Sequence, residues 1–157
     1  MRALVQRVAR ARVTAGGRVS GEIGRGLLVL LGATHDDGPA AAEWLARKVS
    51  ALRVFEDGDG KMNLDLGQAG GAALVVPQFT LYGDARRGNR PDWIAAARPE
   101  AAEPLFEHFC AALVARGVEV ARGVFRARME VELVNDGPVT LLLESPAEAG
   151  AAAPSSL

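Results

Sequence analysis

Leu74-Val75-Val76-Pro77-Gln78-Phe79-Thr80-Leu81-Tyr82-Gly83-Asp84-Ala85-Arg86-Arg87-Gly88-Asn89-Arg90-Pro91-Asp92-Trp93 is the stretch around which the chain can be read. Together with Ala72 and Ala73, its opening is an unbroken aliphatic run to Val76 and predicts a buried strand. Pro77 has no N–H and a fixed φ, so it should end the hydrogen-bond ladder on one side. Beyond it, Gln78 and Thr80 alternate with Phe79 and Leu81, which predicts a half-exposed strand end presenting an amide and a hydroxyl. Gly83-Asp84 turns the chain, and Arg86, Arg87 and Arg90 follow closely. A strand that delivers polar groups beside guanidinium groups could hold an anion. The same pattern also describes a core strand followed by a solvated basic loop.

Outward from this stretch, Leu27 to Leu31 is a second continuous apolar run, expected as a central strand buried on both faces. Residues 2–14 read as a strand, Gly16-Gly17 as a hairpin turn and Val19 to Ile23 as the return strand. Gly21, Gly24 and Gly26 have the wrong order for a dinucleotide loop, and a strand rather than a helix follows. Asp36-Asp37-Gly38-Pro39 should open a helix, with the acids at the positive end of its dipole. Ala41, Leu45, Val49 and Leu52 make its apolar face. Arg53 to Phe55 is a short strand. Asp57-Gly58-Asp59-Gly60 fails as a calcium loop because Lys61 and Met62 occupy the next two positions. Pro99 starts a second helix that runs to about Arg116 and is closed by Gly117. Its buried face is Leu105, Phe106, Phe109, Ala112 and Leu113. Val118 to Ala121, Met129 to Val134 and Val139 to Leu143 are strands, and residues 145–157 should be a disordered tail. Two helices cannot cover both faces of so many strands. The expected fold is one α/β domain, residues 1–144, in a three-layer α/β/β arrangement with both helices on one face.

The 157 residues are 49% hydrophobic and 24% charged, which suits a globular domain. A net charge of −1 excludes a protein that coats nucleic acid by bulk charge, so any RNA contact must be local. A single cysteine, Cys110, excludes an internal disulfide and falls on the apolar side of the second helix. No apolar run suggests a signal or a membrane span, so the expected location is cytoplasmic. The two histidines, His35 and His108, lie far apart; His108 should be an exposed helix residue and His35 part of the loop before the first helix. No G-x-S-x-G turn and no metal-ligand spacing is present, so no metal and no cofactor are expected. What remains is positioning, an oxyanion hole of backbone amides, and a proton acceptor carried by the substrate.

A second motif narrows the reading. Asn135-Asp136-Gly137-Pro138-Val139-Thr140 lies between two strand-like runs; taken alone, Gly137-Pro138 is a turn in a hairpin. With Gln78-Phe79-Thr80-Leu81 it makes the chain resemble a D-aminoacyl-tRNA deacylase. The resemblance runs from Met1 to about Glu144 and includes Val5-Gln6-Arg7-Val8, Gly26 to Gly32, Phe55-Glu56-Asp57 and Gly60-Lys61-Met62-Asn63. Pro77 departs from it, since the family has Ser before the Gln-Phe-Thr-Leu run. The resemblance implies the three-layer fold and a homodimer with active sites at the subunit interface. It implies hydrolysis of D-aminoacyl-tRNA and of glycyl-tRNA, including glycine mischarged on tRNA(Ala), assisted by the RNA 2′-hydroxyl. Gln78, Phe79 and Thr80 would form the catalytic segment, with Thr80 as a nucleophile the alternative to backbone amides. Gly137 and Pro138, joined by a cis bond, would reject L-aminoacyl-tRNA, with Arg7 and Met129 in support. Arg86, Arg87 and Arg90 would contact tRNA. The alternative from another class is a non-catalytic RNA-binding module stacking bases on Phe79, Tyr82 and Trp93. Aromatic residues at only 5% argue against it.

Overall fold

The computed structural model describes residues 1–147. Strand β1 (Arg2–Ala15) serves two cores, because its register slips between Val8 and Arg10. Before the slip Ala3 and Val5 face one cluster; after it Ala11 and Val13 join Val8 in the other. An extra residue in a strand reverses which side the following side chains take. Gly16 and Gly17, at φ 57° and 76°, make the turn into β2 (Arg18–Ile23). β3 (Gly26–Gly32) runs antiparallel to the first half of β1.

Helix α1 (Pro39–Ala51) buries Ala41, Leu45 and Val49. Asp37, however, does not serve its dipole. Its carboxylate accepts from the Met1 α-ammonium at 2.6 Å and from the Thr34 N–H at 2.7 Å, the stronger local demand on a half-buried acid. The hairpin of β4 (Phe55–Glu56) and β5 (Met62–Leu64) turns on Asp57, whose carboxylate accepts the Asp59 and Lys61 amides at 2.9 and 3.1 Å. Those bonds hold its pKa below the usual carboxylate range.

β6 (Ala72–Pro77) lies parallel to β3, and β7 (Glu119–Arg122) parallel to β6. Between them α2 (Pro99–Ala115) packs on α1, on the same face of the sheet. Gly117, at φ 80°, ends α2 in the left-handed region. β8 (Met129–Glu144) runs antiparallel along β1. It replaces the two strands and turn expected from the sequence: both halves pair with one long strand, and the Gly137-Pro138 segment bulges from it between Gln6 and Val8.

The six-stranded sheet curls until β2 meets β7. A Cβ on Gly21 would stand 2.7 Å from the Arg122 carbonyl oxygen. Val8, Val13, Leu28, Leu74 and Val76 fill this nearly closed barrel, while Val5, Leu27, Val29 and Val75 face the helices. The α/β/β layering follows, with both helices on one side. Truncating Leu28 or Leu74, each 1% exposed or less, would cost about 2–5 kcal/mol. The expected tail boundary shifts, because Ser145 is buried and its N–H donates to the Met1 carbonyl at 2.9 Å. The rest of that expected tail, residues 148–157, lies outside the described residues.

Candidate active site

The parallel strands β3 and β6 end together, with Leu31 opposite Pro77. The last β6–β7 bond is Gly123 N–H to the Val75 carbonyl at 2.8 Å; Pro77 has no N–H to continue that ladder. On the other side the Gln78 N–H donates to the Leu31 carbonyl at 2.8 Å. The expected strand end then becomes a 3₁₀ turn, Phe79–Tyr82, with Gly83 N–H donating to the Thr80 carbonyl at 3.0 Å. Gly32 permits the turn to sit this low, since a Cβ there would be 2.8 Å from the Gln78 carbonyl oxygen. Arg2 clamps it: Nη1 donates to the Leu81 carbonyl at 2.9 Å, and the guanidinium lies 4.4 Å from the Tyr82 ring centroid.

This geometry leaves the N–H groups of Phe79 and Thr80 at the start of the turn, without an acceptor among the described residues. The Thr80 hydroxyl accepts from Gln78 Nε2. No imidazole, carboxylate or amine among the described residues bonds to it. His35 instead bonds the Ile94 carbonyl at 2.6 Å, and His108 faces Glu43 at 3.0 Å. Phe79 is 56% exposed and meets Trp93 edge-on at 5.5 Å between centroids. Tyr82 is only 6% exposed, and burial pushes its phenol pKa up. The expectation that Tyr82 could stack on a base is therefore wrong, because its ring is packed under the turn.

A cavity of about 770 Å³ opens beside the turn. Pro77, Gln78 and Phe79 stand at one side, and Val76, Phe106 and Met129 line its apolar walls. The Met129 sulfur accepts the Val124 N–H at 3.3 Å, which places this side chain in the wall. Two loops finish it: Ala97 N–H donates to the Ala33 carbonyl at 2.9 Å and the Thr34 hydroxyl to the Ala95 carbonyl at 2.6 Å. The Met1–Asp37–Thr34 chain of bonds fixes the first loop, with Ser145 Oγ at 2.7 Å from the Met1 amine. Sequence reasoning missed Met1 and Ser145, which are far apart in the chain and carry no local signal.

The second motif is held elsewhere. Arg7, 6% exposed, donates through Nε to the Asp136 carbonyl at 3.0 Å and through Nη1 to the Val54 carbonyl at 2.6 Å. Asn135 Nδ2 donates to the Arg7 and Val139 carbonyls at 2.8 and 3.2 Å. The Gly137–Pro138 peptide is cis. This segment faces Arg7, whereas Gln78 lies beyond Leu31, the partner of Ala3, and three strands across. At about 3.3 Å per residue along strands and 4.8 Å between them, the motifs are on the order of 20 Å apart in one chain. They do not form one site within it.

Of the arginines expected to touch tRNA, Arg86 is already engaged: Nε lies 2.9 Å from both Asp84 carboxylate oxygens and holds that carboxyl at about 2. Arg87 and Arg90 are exposed, with no side-chain partner among the described residues. No three His, Cys, Asp or Glu side chains gather among the described residues, and no helix there is long and apolar enough to cross a membrane.

The family described as D-Tyr-tRNA(Tyr) deacylase matches residues 4–144. A D-aminoacyl-tRNA deacylase of Symbiobacterium thermophilum is 61% identical over 145 residues, 92% of this chain and 96% of that protein. One from Thermus aquaticus is 57% identical over 150 residues, covering 96% and 99%. Among solved structures, a c-Myc DNA Unwinding Element Binding Protein matches with a TM-score of 0.86 at 42% identity, covering 93% of this chain and 99% of that one. A probable eukaryotic D-amino acid tRNA deacylase shares the fold at a TM-score of 0.78 and 18% identity, covering 91% and 98%. Matched over nearly its whole described length, the chain belongs to the D-Tyr-tRNA(Tyr) deacylase family, hydrolases that act as D-aminoacyl-tRNA deacylases.

Proposed function

We propose that this chain cleaves the ester of D-aminoacyl-tRNA with main-chain donors and a hydroxyl of the RNA, without a side-chain nucleophile. The observation that carries this reading is the pair of unpartnered amides, Phe79 and Thr80, beside a cavity, with no base on the Thr80 hydroxyl. Water attacks the ester carbonyl carbon while the vicinal 2′-hydroxyl of the terminal ribose relays its proton. The two amides stabilise the oxyanion. When the tetrahedral species collapses, the C–O bond to the ribose breaks, and the departing oxygen takes the proton to leave a free tRNA end and the amino acid. Gln78 orients the ribose or the carbonyl.

Chirality is assigned to Gly137-Pro138, whose carbonyls accept from the substrate ammonium. An L side chain is driven against the Pro138 backbone, whereas a D side chain points away. Glycine has no side chain to exclude, so glycyl-tRNA, including glycine on tRNA(Ala), is also a substrate. Because the two motifs are on the order of 20 Å apart in one chain, the second is supplied by another copy, and the working unit is a homodimer. Arg86, Arg87 and Arg90 are proposed to lie along the acceptor stem, Arg86 by exchanging Asp84 for a phosphate. The proposed setting is the cytoplasm, where charged tRNA is used.

The test is a paired measurement. Thr80→Ala should keep kcat within about tenfold of wild type, whereas a D-tyrosyl-tRNA ending in 2′-deoxyadenosine should lose about 10²–10⁴, the usual worth of general-base assistance. A Thr80→Ala loss of roughly a thousandfold or more would restore covalent catalysis. Normal turnover of the deoxy substrate would remove the RNA from the mechanism.

A further inference from the structure

We infer that Arg98, Arg126 and Arg128 form an anion clamp at the cavity, built for the phosphodiester that precedes the terminal adenosine of an aminoacylated RNA end. This deepens the reading above and rests on the ester lying at Gln78 and Phe79. The charge on the cavity wall is one-sided: these three arginines line it, and no carboxylate does. The chain as a whole carries 18 basic and 19 acidic residues, so the bias belongs to the site. All three side chains are exposed and have no hydrogen-bond or ion-pair partner among the described residues. Other arginines are occupied: Arg2, Arg12 and Arg116 pair with Glu144, Glu22 and Glu43.

The nearby acids are turned aside. Met129 and Val131 line the cavity, so strand alternation sends Glu130 and Glu132 to the opposite face of β8. Glu107 is held by Arg122 on β7. The clamp also draws on two elements of backbone. Arg98 is the residue before α2, and Pro99 and Ala102 of its first turn face the same cavity, adding the positive end of a helix dipole. Arg126 sits at φ 61°, a left-handed conformation uncommon for a residue with a Cβ, on the short loop between β7 and β8. Two arginines from one loop and one from the helix start thus converge from different elements. Forked guanidinium donors match the two free oxygens of a phosphodiester.

An RNA end and a free nucleotide share this phosphate chemistry, so the experiment separates them. D-tyrosine would be esterified to the 3′-oxygen of adenosine, of adenosine 5′-monophosphate and of a CCA trinucleotide. Wild type should prefer the phosphate-bearing esters by about tenfold or more in kcat/KM, and R98A/R126G/R128A should bring that ratio close to one. Glycine is used at 126 because it accepts φ 61°. On whole tRNA the triple variant should flatten the slope of log K against log salt by about one to two, near 0.7 per single-strand phosphate lost. If the triple variant does not fold, R98Q and R128Q carry the same ratio test singly. An unchanged ratio and slope would overturn the clamp. Equally tight binding of free adenosine 5′-monophosphate and the CCA end would reassign it to mononucleotides. If wild type cleaves none of the esters, the ester-site reading fails; adenosine against its 5′-monophosphate in calorimetry then still decides the clamp, equal affinity overturning it.

Discussion

A methyl group added at Gly32 tests whether the height of the 3₁₀ turn, and no side chain on it, sets the rate. Gly32→Ala asks nothing unusual of the backbone, but its Cβ would stand 2.8 Å from the Gln78 carbonyl oxygen, 3.2 Å from Leu81 Cβ and 3.4 Å from Tyr82 Cδ2. Ordinary contact begins near 3.4 Å, so the Gln78 carbonyl must retreat by about 0.6 Å. Tyr82 is buried and Leu81 is tied to Arg2, so the far end of the turn resists. The displacement falls on the near end, which carries the Phe79 and Thr80 amides. Oxyanion donors need placement to about 0.5 Å, and complete loss of one costs about 10²–10³ in rate. A partial displacement should lower single-turnover hydrolysis of D-tyrosyl-tRNA by about 10- to 100-fold, or ~1.4–2.7 kcal/mol of barrier. Overpacking should cost about 1–3 kcal/mol of stability, visible as a lower melting midpoint with the fold retained. Gly24→Ala is the control, because its Cβ meets nothing within 4 Å. A folded Gly32→Ala variant that turns over within twofold of wild type would refute the reasoning.

Two further outcomes follow from other parts of the molecule. A Cβ at Gly137 would lie 2.6 Å from Asn135 Oδ1, the amide that ties this segment to Arg7, so Gly137→Ala should cut kcat/KM on D-tyrosyl-tRNA about tenfold or more. Mixed with an inactive Gln78/Phe79 double variant, it should regain activity as hybrid dimers form; subunit exchange without recovery would mean that each chain holds a complete site. Burial raises the Cys110 thiol to about 12, so the fold keeps the proton. This contribution is full below the ordinary thiol pKa of about 8.5 and is lost as pH rises toward 12. Urea unfolding should therefore show stability falling above about pH 9 less steeply in Cys110→Ala, and a thiol reagent at pH 8 should label native protein only as fast as it opens. Immediate labelling of the native protein would contradict this.

Much of the scaffold was legible because its signals are local. Leu27–Leu31 and Ala72–Val76 are apolar without alternation because both faces are covered, one by helices and the other by the barrel interior. Pro77 marked the end of a ladder for the simple reason that it lacks an N–H. The turn at Phe79–Tyr82 was not legible, since four residues of alternating character fit a strand end equally well. What bends them is remote: space left by Gly32 and a clamp from Arg2, 79 positions before Leu81. In the same way, Asn135 to Pro138 has the composition of a hairpin turn, and only the length of β1 shows that both flanks belong to one strand. The face reversal in β1 has no sequence signature at all. Roles for Gln78, Gly137 and Arg7 came from resemblance; spacing alone assigned none of them.

Placing reactive groups on the main chain changes which positions are sensitive to substitution. An amide N–H at Phe79 or Thr80 survives replacement of either side chain, but it moves with whatever lies beneath it. Sensitivity should therefore concentrate in supporting residues: Gly32 under the Gln78 carbonyl, Arg2 on the Leu81 carbonyl, and Arg7 between the Asp136 and Val54 carbonyls. All three lie on the antiparallel pair β1–β3, and Arg2 is the strand partner of Gly32. One rigid ladder thus sets both the turn and the Gly137-Pro138 segment. If the partner copy supplies the second motif, the same ladder in each chain fixes one half of two sites. An error of a few tenths of an ångström in that ladder would then reach catalysis and chiral discrimination together. This coupling is why the support, and not the exposed side chains of the turn, should tolerate the least change.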